Sequence, residues 1–299
     1  MLRGFMTANA EHAAIIRDIL STHLACTAPF ETERLGGLTN FNYLVTAGDL
    51  EAVFRLPGEG TEDLVDRAVE CAITRAASAI GVDSELLYFD PATGVKAVRL
   101  IANATTMSPE SMQDSENTVL AARLLRRLHD EGTPVDFRFD VFEMIPQYEQ
   151  AIRQNEEIDW DGYEELRAAL FALRDRMDQG DMALCHCDPL CENFVKDAGT
   201  KRMYLIDWEY GGMNDPLWDV ADVIIEAGFD REQRDLFQNS YFGRPATPDE
   251  DERISINIVL IDFLWALWGK QRSYYDHSLD EYGPERFARA RQNFATLSR

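Results

Sequence analysis

The 299-residue sequence lacks any apolar stretch of the ~20 residues that a membrane-spanning helix requires. Its longest, over 254–268, is interrupted by Ser255, Asn257 and Asp262 and reads as a core helix. No apolar run behind a basic cap opens the chain, which points away from secretion. Cysteine is sparse and odd in number: Cys26, Cys71, Cys185, Cys187 and Cys191 cannot all pair, so a reducing cytoplasm is the expected setting. Basic residues are also in short supply, 29 Lys and Arg against 53 Asp and Glu, for a net charge of −24. Such a field repels nucleic acid and anionic membrane surfaces and leaves small molecules as the expected partners. A cationic substrate would be drawn in, although an acidic surface more often serves solubility.

What is present is core-forming material: 45% of the residues are hydrophobic, enough for one large domain or two lobes sharing a cleft. Residues 12–24 place Ile15, Ile16, Ile19 and Leu20 on one helical face. Short strand-like runs follow at 33–36, 41–46 and 51–56, the last two joined by a Gly48-Asp49 turn, as in an antiparallel meander. Helical spacing returns over 64–80 and stops at Gly81; two further strand-like runs, 85–89 and 95–101, flank the turn at 91–94. Beyond Ser108 the texture is helical, at 111–129, 141–154, 160–178, 216–226, 231–241, 250–269 and 283–297. One island interrupts it: 182–195 and 201–210 are short apolar runs rich in Asp, read as a hairpin bearing carboxylates. The fold class is therefore α+β, with a small β-rich lobe over 1–103 and a large helical lobe over 104–299 that together form one functional unit.

The chemistry concentrates in that island, in His186-Cys187-Asp188-Pro189-Leu190-Cys191-Glu192-Asn193 and Leu205-Ile206-Asp207-Trp208-Glu209. Phosphoryl transfer needs a carboxylate to accept the alcohol proton and oxygen ligands for Mg²⁺ on the phosphates. A loop with Asp188 and, five positions on, Asn193 supplies a base and one ligand; Asp207, ending the next strand, supplies the other. Singly, each Asp is an ordinary turn residue; the joint spacing in an apolar frame argues for one site. A rival reading takes Cys185, His186, Cys187 and Cys191 as soft metal ligands, but the paired Cys-x-x-Cys spacing of zinc sites is missing.

These motifs, with Ile206 to Tyr210 and Asn214 to Ala221, resemble the choline/ethanolamine kinases, a branch of the protein-kinase-like fold that also holds the aminoglycoside phosphotransferases. The likeness is nearest to the bacterial choline kinases and covers 35–287. It implies a two-lobed kinase binding ATP and Mg²⁺, with Asp188 as general base, Asn193 and Asp207 as metal ligands, and His186 orienting the loop. Asp219 is implied to accept backbone amides of the catalytic loop. The block 36–45 has a glycine turn whose N–H groups suit phosphate oxygens; the resemblance assigns Gly36, Gly37, Thr39 and Asn40 to the nucleotide. Arg55 stands where protein kinases carry a phosphate-binding lysine, with Glu70 as its expected partner and Asp66 as a rival one turn earlier.

At the substrate end Trp265 and Trp268 are three apart and share a helical face, suited either to a core or to a wall for a quaternary ammonium. The resemblance favours the wall and adds Tyr210, Glu226 and Tyr282; Phe229 fits the family's further aromatic only approximately. The implied activity is phosphorylation of the hydroxyl of choline or a related amino alcohol. The alternatives are another small-molecule kinase of this fold, for ethanolamine, an aminoglycoside or a sugar, or a catalytically inactive nucleotide-binding module.

Overall fold

The computed structural model describes residues 7–35, 40–58, 66–177 and 181–297. Its contacts divide the chain into two units, one of residues 1–107, 131–135 and 192–211, the other of 108–130, 136–191 and 212–299.

The first unit opens with α1 (Ala10–Thr22), started by Asn9, whose side chain accepts the His12 N–H. An antiparallel sheet follows: β1 (Phe30–Arg34), β2 (Asn40–Ala47) and β3 (Leu50–Pro57), then α2 (Arg67–Ala79), β4 (Leu86–Phe89) and β5 (Lys96–Arg99), in the order β1-β2-β3-β5-β4. Ile16, Ile19 and Leu20 of α1 lie against Tyr43, Val45, Phe54, Leu56 and Ala97 of the sheet, the alternate residues of strands with one buried face. This is the antiparallel, β-rich N-terminal region expected. A smaller sheet joins β6 (Ala104–Thr106) to β8 (Phe194–Asp197) and β9 (Met203–Leu205), in the order β6-β8-β9. The Leu205 N–H also donates to Val82 O at 3.0 Å, so the hairpin is tied to the turn after α2.

The second unit is helical: α3 (Pro109–Met112), α4 (Ser115–Glu131), α5 (Val141–Arg153), α6 (Tyr163–Phe171), α7 (Arg174–Met177), then α8 (Pro216–Glu226), α9 (Arg231–Phe242), α10 (Pro248–Ser273) and α11 (Tyr282–Leu297). α8 starts where Asp215 caps the Leu217 N–H and Pro216 takes the first helical position, matching the spacing to the residue. α10 is boxed by Thr247 and Glu250 and buries residues all round from Ile254 to Leu267, as a central helix must.

Two sequence expectations change. The hairpin of the Asp-rich island is confined to β8 and β9, while β7 (Ala183–Cys185) pairs with β10 (Gly212–Asn214), a strand that its three residues did not announce. The single helix expected over 160–178 is broken between α6 and α7 at Ala172-Leu173.

Candidate active site

On β3, Arg55 stands directly across the ladder from Lys96 on β5. Both reach Glu70 on α2: Arg55 Nη1 lies 2.6 Å from Oε1, Lys96 Nζ 3.5 Å from the same oxygen, and Arg67 Nη1 3.0 Å from Oε2. Burial pushes the Glu70 carboxyl up, but the Arg55 hydrogen bond, the charges of Lys96 and Arg55 and the Arg67 hydrogen bond prevail and hold it at about 2. Three cations on one carboxylate leave positive charge over, which suits phosphate oxygens. Asp66 is otherwise engaged, capping α2 by accepting the Ala68 and Val69 N–H groups at 3.0 and 3.1 Å. Gly36, Gly37 and Thr39 lie outside the described residues. Asn40 opens β2, and its buried Oδ1 has no hydrogen-bond partner among the described residues.

In the same unit, Asn193 closes a 3₁₀ turn (Cys191–Asn193), and its carbonyl accepts the Ile206 N–H at 3.0 Å. That backbone bond holds the residue before Asp207 beside Asn193. Asp207 is exposed and left-handed at φ 71°, a conformation that an Asp tolerates better than most residues. Trp208 is fully buried and donates its indole N–H to Asp83 at 2.9 Å. Burial, then the charges of Asp207 and Glu70, push Glu209 up to about 7. One amide and two crowded carboxylates make an all-oxygen donor set fitting a hard divalent cation, whose charge would relieve their repulsion.

In the second unit β7 leads into the loop that carries Asp188. His186 is fully buried, and Cys187 is left-handed at φ 66°. Asp219 on α8 accepts both loop amides, His186 N and Cys187 N, at 2.8 Å each, and the Trp218 indole donates to Cys187 O at 2.9 Å. His129 Nε2 lies 3.0 Å from Asp219 Oδ2, and its Nδ1 2.7 Å from the Tyr241 hydroxyl. Although His129, Cys185 and Asp219 offer ligand atoms within 4.8 Å of one another, both His129 nitrogens are engaged, and burial followed by the Asp219 charge pushes the Cys185 thiol well up. A protonated thiol is a poor metal ligand. Asp188 itself is partly exposed.

The aromatic pair divides in two. Trp265 is 4% exposed, whereas Trp268 is half-buried. Their rings meet edge-on at 6.0 Å, and Trp268 meets Tyr282 edge-on at 5.8 Å. Gly269 makes that approach possible: a Cβ there would stand 2.3 Å from Tyr282 Cδ1. Gly283 does the same for the backbones, since a Cβ would stand 2.8 Å from Ala266 O. Glu226 Oε1 lies 2.6 Å from Arg286 Nη1 and 3.4 Å from Arg289 Nη2. Tyr210 belongs to the first unit, and Phe229 packs on Phe237 at 5.6 Å between centroids. Lys96, Arg67 and Gly269 escaped the sequence reading, and Glu209, Gly283 and Arg286, though within its motifs, were given no role. Glu209 alone had a local signal, two positions after Asp207.

A groove of about 1120 Å³ along α1 and β1, lined by Arg17, Leu20, Cys26, Phe30 and Thr46 among others, holds none of these groups.

The family description "choline/ethanolamine kinase" matches residues 32–246. Among solved structures, a choline/ethanolamine kinase family protein from Mesorhizobium loti is 38% identical with a TM-score of 0.80, the match covering 95% of this chain and 94% of that one. Choline kinase LicA from Streptococcus pneumoniae is 32% identical with a TM-score of 0.78, covering 96% and 100%. LicA in complex with AMP gives 31%, 0.75, 95% and 98%. The chain belongs to the choline/ethanolamine kinase family and is a small-molecule kinase.

Proposed function

We propose that this family member transfers the terminal phosphate of ATP to the hydroxyl of choline, with Asp188 as the base. The observation that carries the reading is the Asp219 clamp, which fixes a left-handed loop backbone directly before a partly exposed carboxylate. Strain held this way at one loop position is characteristic of sites built to aim a side chain. Asp188 accepts the hydroxyl proton as the oxygen attacks phosphorus. Arg55, Lys96 and Arg67, gathered on Glu70, bind the nucleotide phosphates, in keeping with the AMP bound by LicA. Asn193 and Asp207, with Glu209 beside them, supply oxygen donors for a magnesium ion, which when bound offsets the phosphate charge. Trp268 and Tyr282, backed by the buried Trp265, and the acids of α8 make the ammonium end. None of the five cysteines is joined in a disulfide, in keeping with a reducing setting, and no described helix is long and apolar enough to cross a membrane.

The test is ADP release from ATP with choline, ethanolamine, an aminoglycoside and a sugar alcohol offered in parallel. Choline should give the highest kcat/KM, because tryptophan faces attract a diffuse cation whereas a primary ammonium must find acceptors for three N–H groups. Asp188→Asn should lower kcat roughly 10²- to 10⁴-fold with nucleotide affinity retained. No ADP release with any acceptor would make the chain an inactive nucleotide-binding module.

A further inference from the structure

Helix α8 carries three acids at one, two and three turns, Asp219, Asp222 and Glu226, and each meets a different fate. Asp219 is bound by the loop amides and His129. Glu226 and Asp262 share Arg286 and Arg289: Arg286 Nη1 lies 2.6 Å from Glu226 and 3.0 Å from Asp262, and Arg289 Nη2 lies 3.4 and 2.6 Å from them. Two guanidinium groups and two carboxylates close on themselves, so Glu226 has little charge left for a ligand. Asp222 is the exception. It is fully buried, and neither of its oxygens has a hydrogen-bond partner among the described residues. An ionised carboxyl in that state is a large local cost unless it takes up a proton or gains a partner.

The groups facing Asp222 are Glu226 and Asp219 from its own helix, Asp188 and the Cys187 thiol from the catalytic loop, and Arg286 from α11. Arg286 is the one cation among them, and it is already shared. Asp222 thus feels the charge both of Glu226, beside the aromatic wall, and of Asp188, the acid that takes the hydroxyl proton.

Resting on the amino-alcohol reading above, we infer that Asp222, rather than Glu226, is the counter-charge for the substrate ammonium, holding a proton in the absence of substrate and yielding it to solvent when the cation arrives. Glu226 then acts as a positioning residue that fixes Arg286 behind Tyr282, where the guanidinium carbon sits 5.1 Å from the ring centroid. Burial first, and then the Glu226 and Asp188 charges, push the Asp222 carboxyl well up, consistent with a neutral acid in the absence of substrate. A substrate cation reverses that balance by favouring the ionised form.

Calorimetric titration of the full chain with choline at pH 7, in two buffers of different ionisation enthalpy, counts the protons released. Release approaching one proton per choline is expected, with none on binding 3,3-dimethylbutan-1-ol, the neutral isostere. Asp222→Asn should weaken choline and ethanolamine at least roughly tenfold, leave the isostere within about twofold, and abolish the release. Should that variant fail to fold, the proton count on the parent decides alone. An absence of release, or a folded Asp222→Asn that binds choline as the parent does, overturns the assignment while leaving choline as the substrate. A parent that binds neither choline nor ethanolamine overturns the substrate reading itself, and this inference with it.

Discussion

Cys187 holds a left-handed backbone, φ 66°, while its amide donates to Asp219 Oδ1 at 2.8 Å. A β-bearing side chain in that conformation is costly, by roughly 1 to 3 kcal/mol, and persists only when its surroundings over-determine it. Asp219 supplies the determination from a helix whose start is set by Asp215 and Pro216. The position of Asp188, next in sequence, therefore depends on a residue 31 positions away that never needs to touch substrate.

Asp219→Ala should strand two buried amides and free the loop. At about 1 to 3 kcal/mol for each unsatisfied group, urea unfolding should show a loss of roughly 2 to 6 kcal/mol, and turnover should fall with it. Asp219→Asn keeps one acceptor and should lie between. Parent-like turnover in a folded Asp219→Asn would mean that the loop is held by something else.

Trp268 and Trp265 should separate on replacement by alanine. Trp268 is half-buried between two aromatic edges, so its loss should raise the KM for choline about tenfold with the ATP KM little changed. Trp265, 4% exposed, should instead cost roughly 3 to 5 kcal/mol of stability and impair both substrates together. Steady-state kinetics and thermal melts on both variants read this directly; an unchanged choline KM in Trp268→Ala removes that ring from the substrate wall.

Asp207→Ala should abolish Mg²⁺-dependent ATP turnover, because a carboxylate ligand is lost at the phosphates. Activity measured across a Mg²⁺ titration is the check. Saturation at the parent's concentration, with the parent's rate, would show that Asp207 does not hold the ion.

Asp83 makes a pH prediction independent of turnover. It is 3% exposed and accepts the Trp208 indole N–H, yet burial pushes its carboxyl up from 3.8 to about 6. A raised acid binds its proton more tightly folded than unfolded, so its contribution is present at low pH and lost as pH rises from about 4 through about 6. Asp83→Asn keeps the acceptor without the charge. The stability of the parent relative to Asp83→Asn should fall by about 1 to 3 kcal/mol between pH 4 and pH 7 in urea titrations. A difference that is flat with pH would place the ordinary carboxyl behaviour at this site.

Much of this was legible along the chain because its signals are local. The cap and proline before α8, the apolar faces of α1 and α10, the turn between β2 and β3, and the Asp188, Asn193 and Asp207 spacing each lie within one continuous stretch of chain, where periodicity and turn chemistry operate. Family resemblance reached further, to Arg55, Glu70 and the tryptophans, and it left Glu70 and Asp66 as rivals. Tertiary placement separated them, because Asp66 is consumed as a cap while Glu70, one turn on, faces β3 and β5. The same holds for β10, whose three residues form a strand only because β7 offers a ladder 29 positions earlier, and for Gly269 and Gly283, whose lack of a side chain matters only where α10 meets α11. Which acid of α8 is paired and which is left over was also invisible in sequence. Charge pairing depends on distances between residues remote in the chain, and Arg286 and Arg289 come from a helix some 60 positions downstream of Glu226.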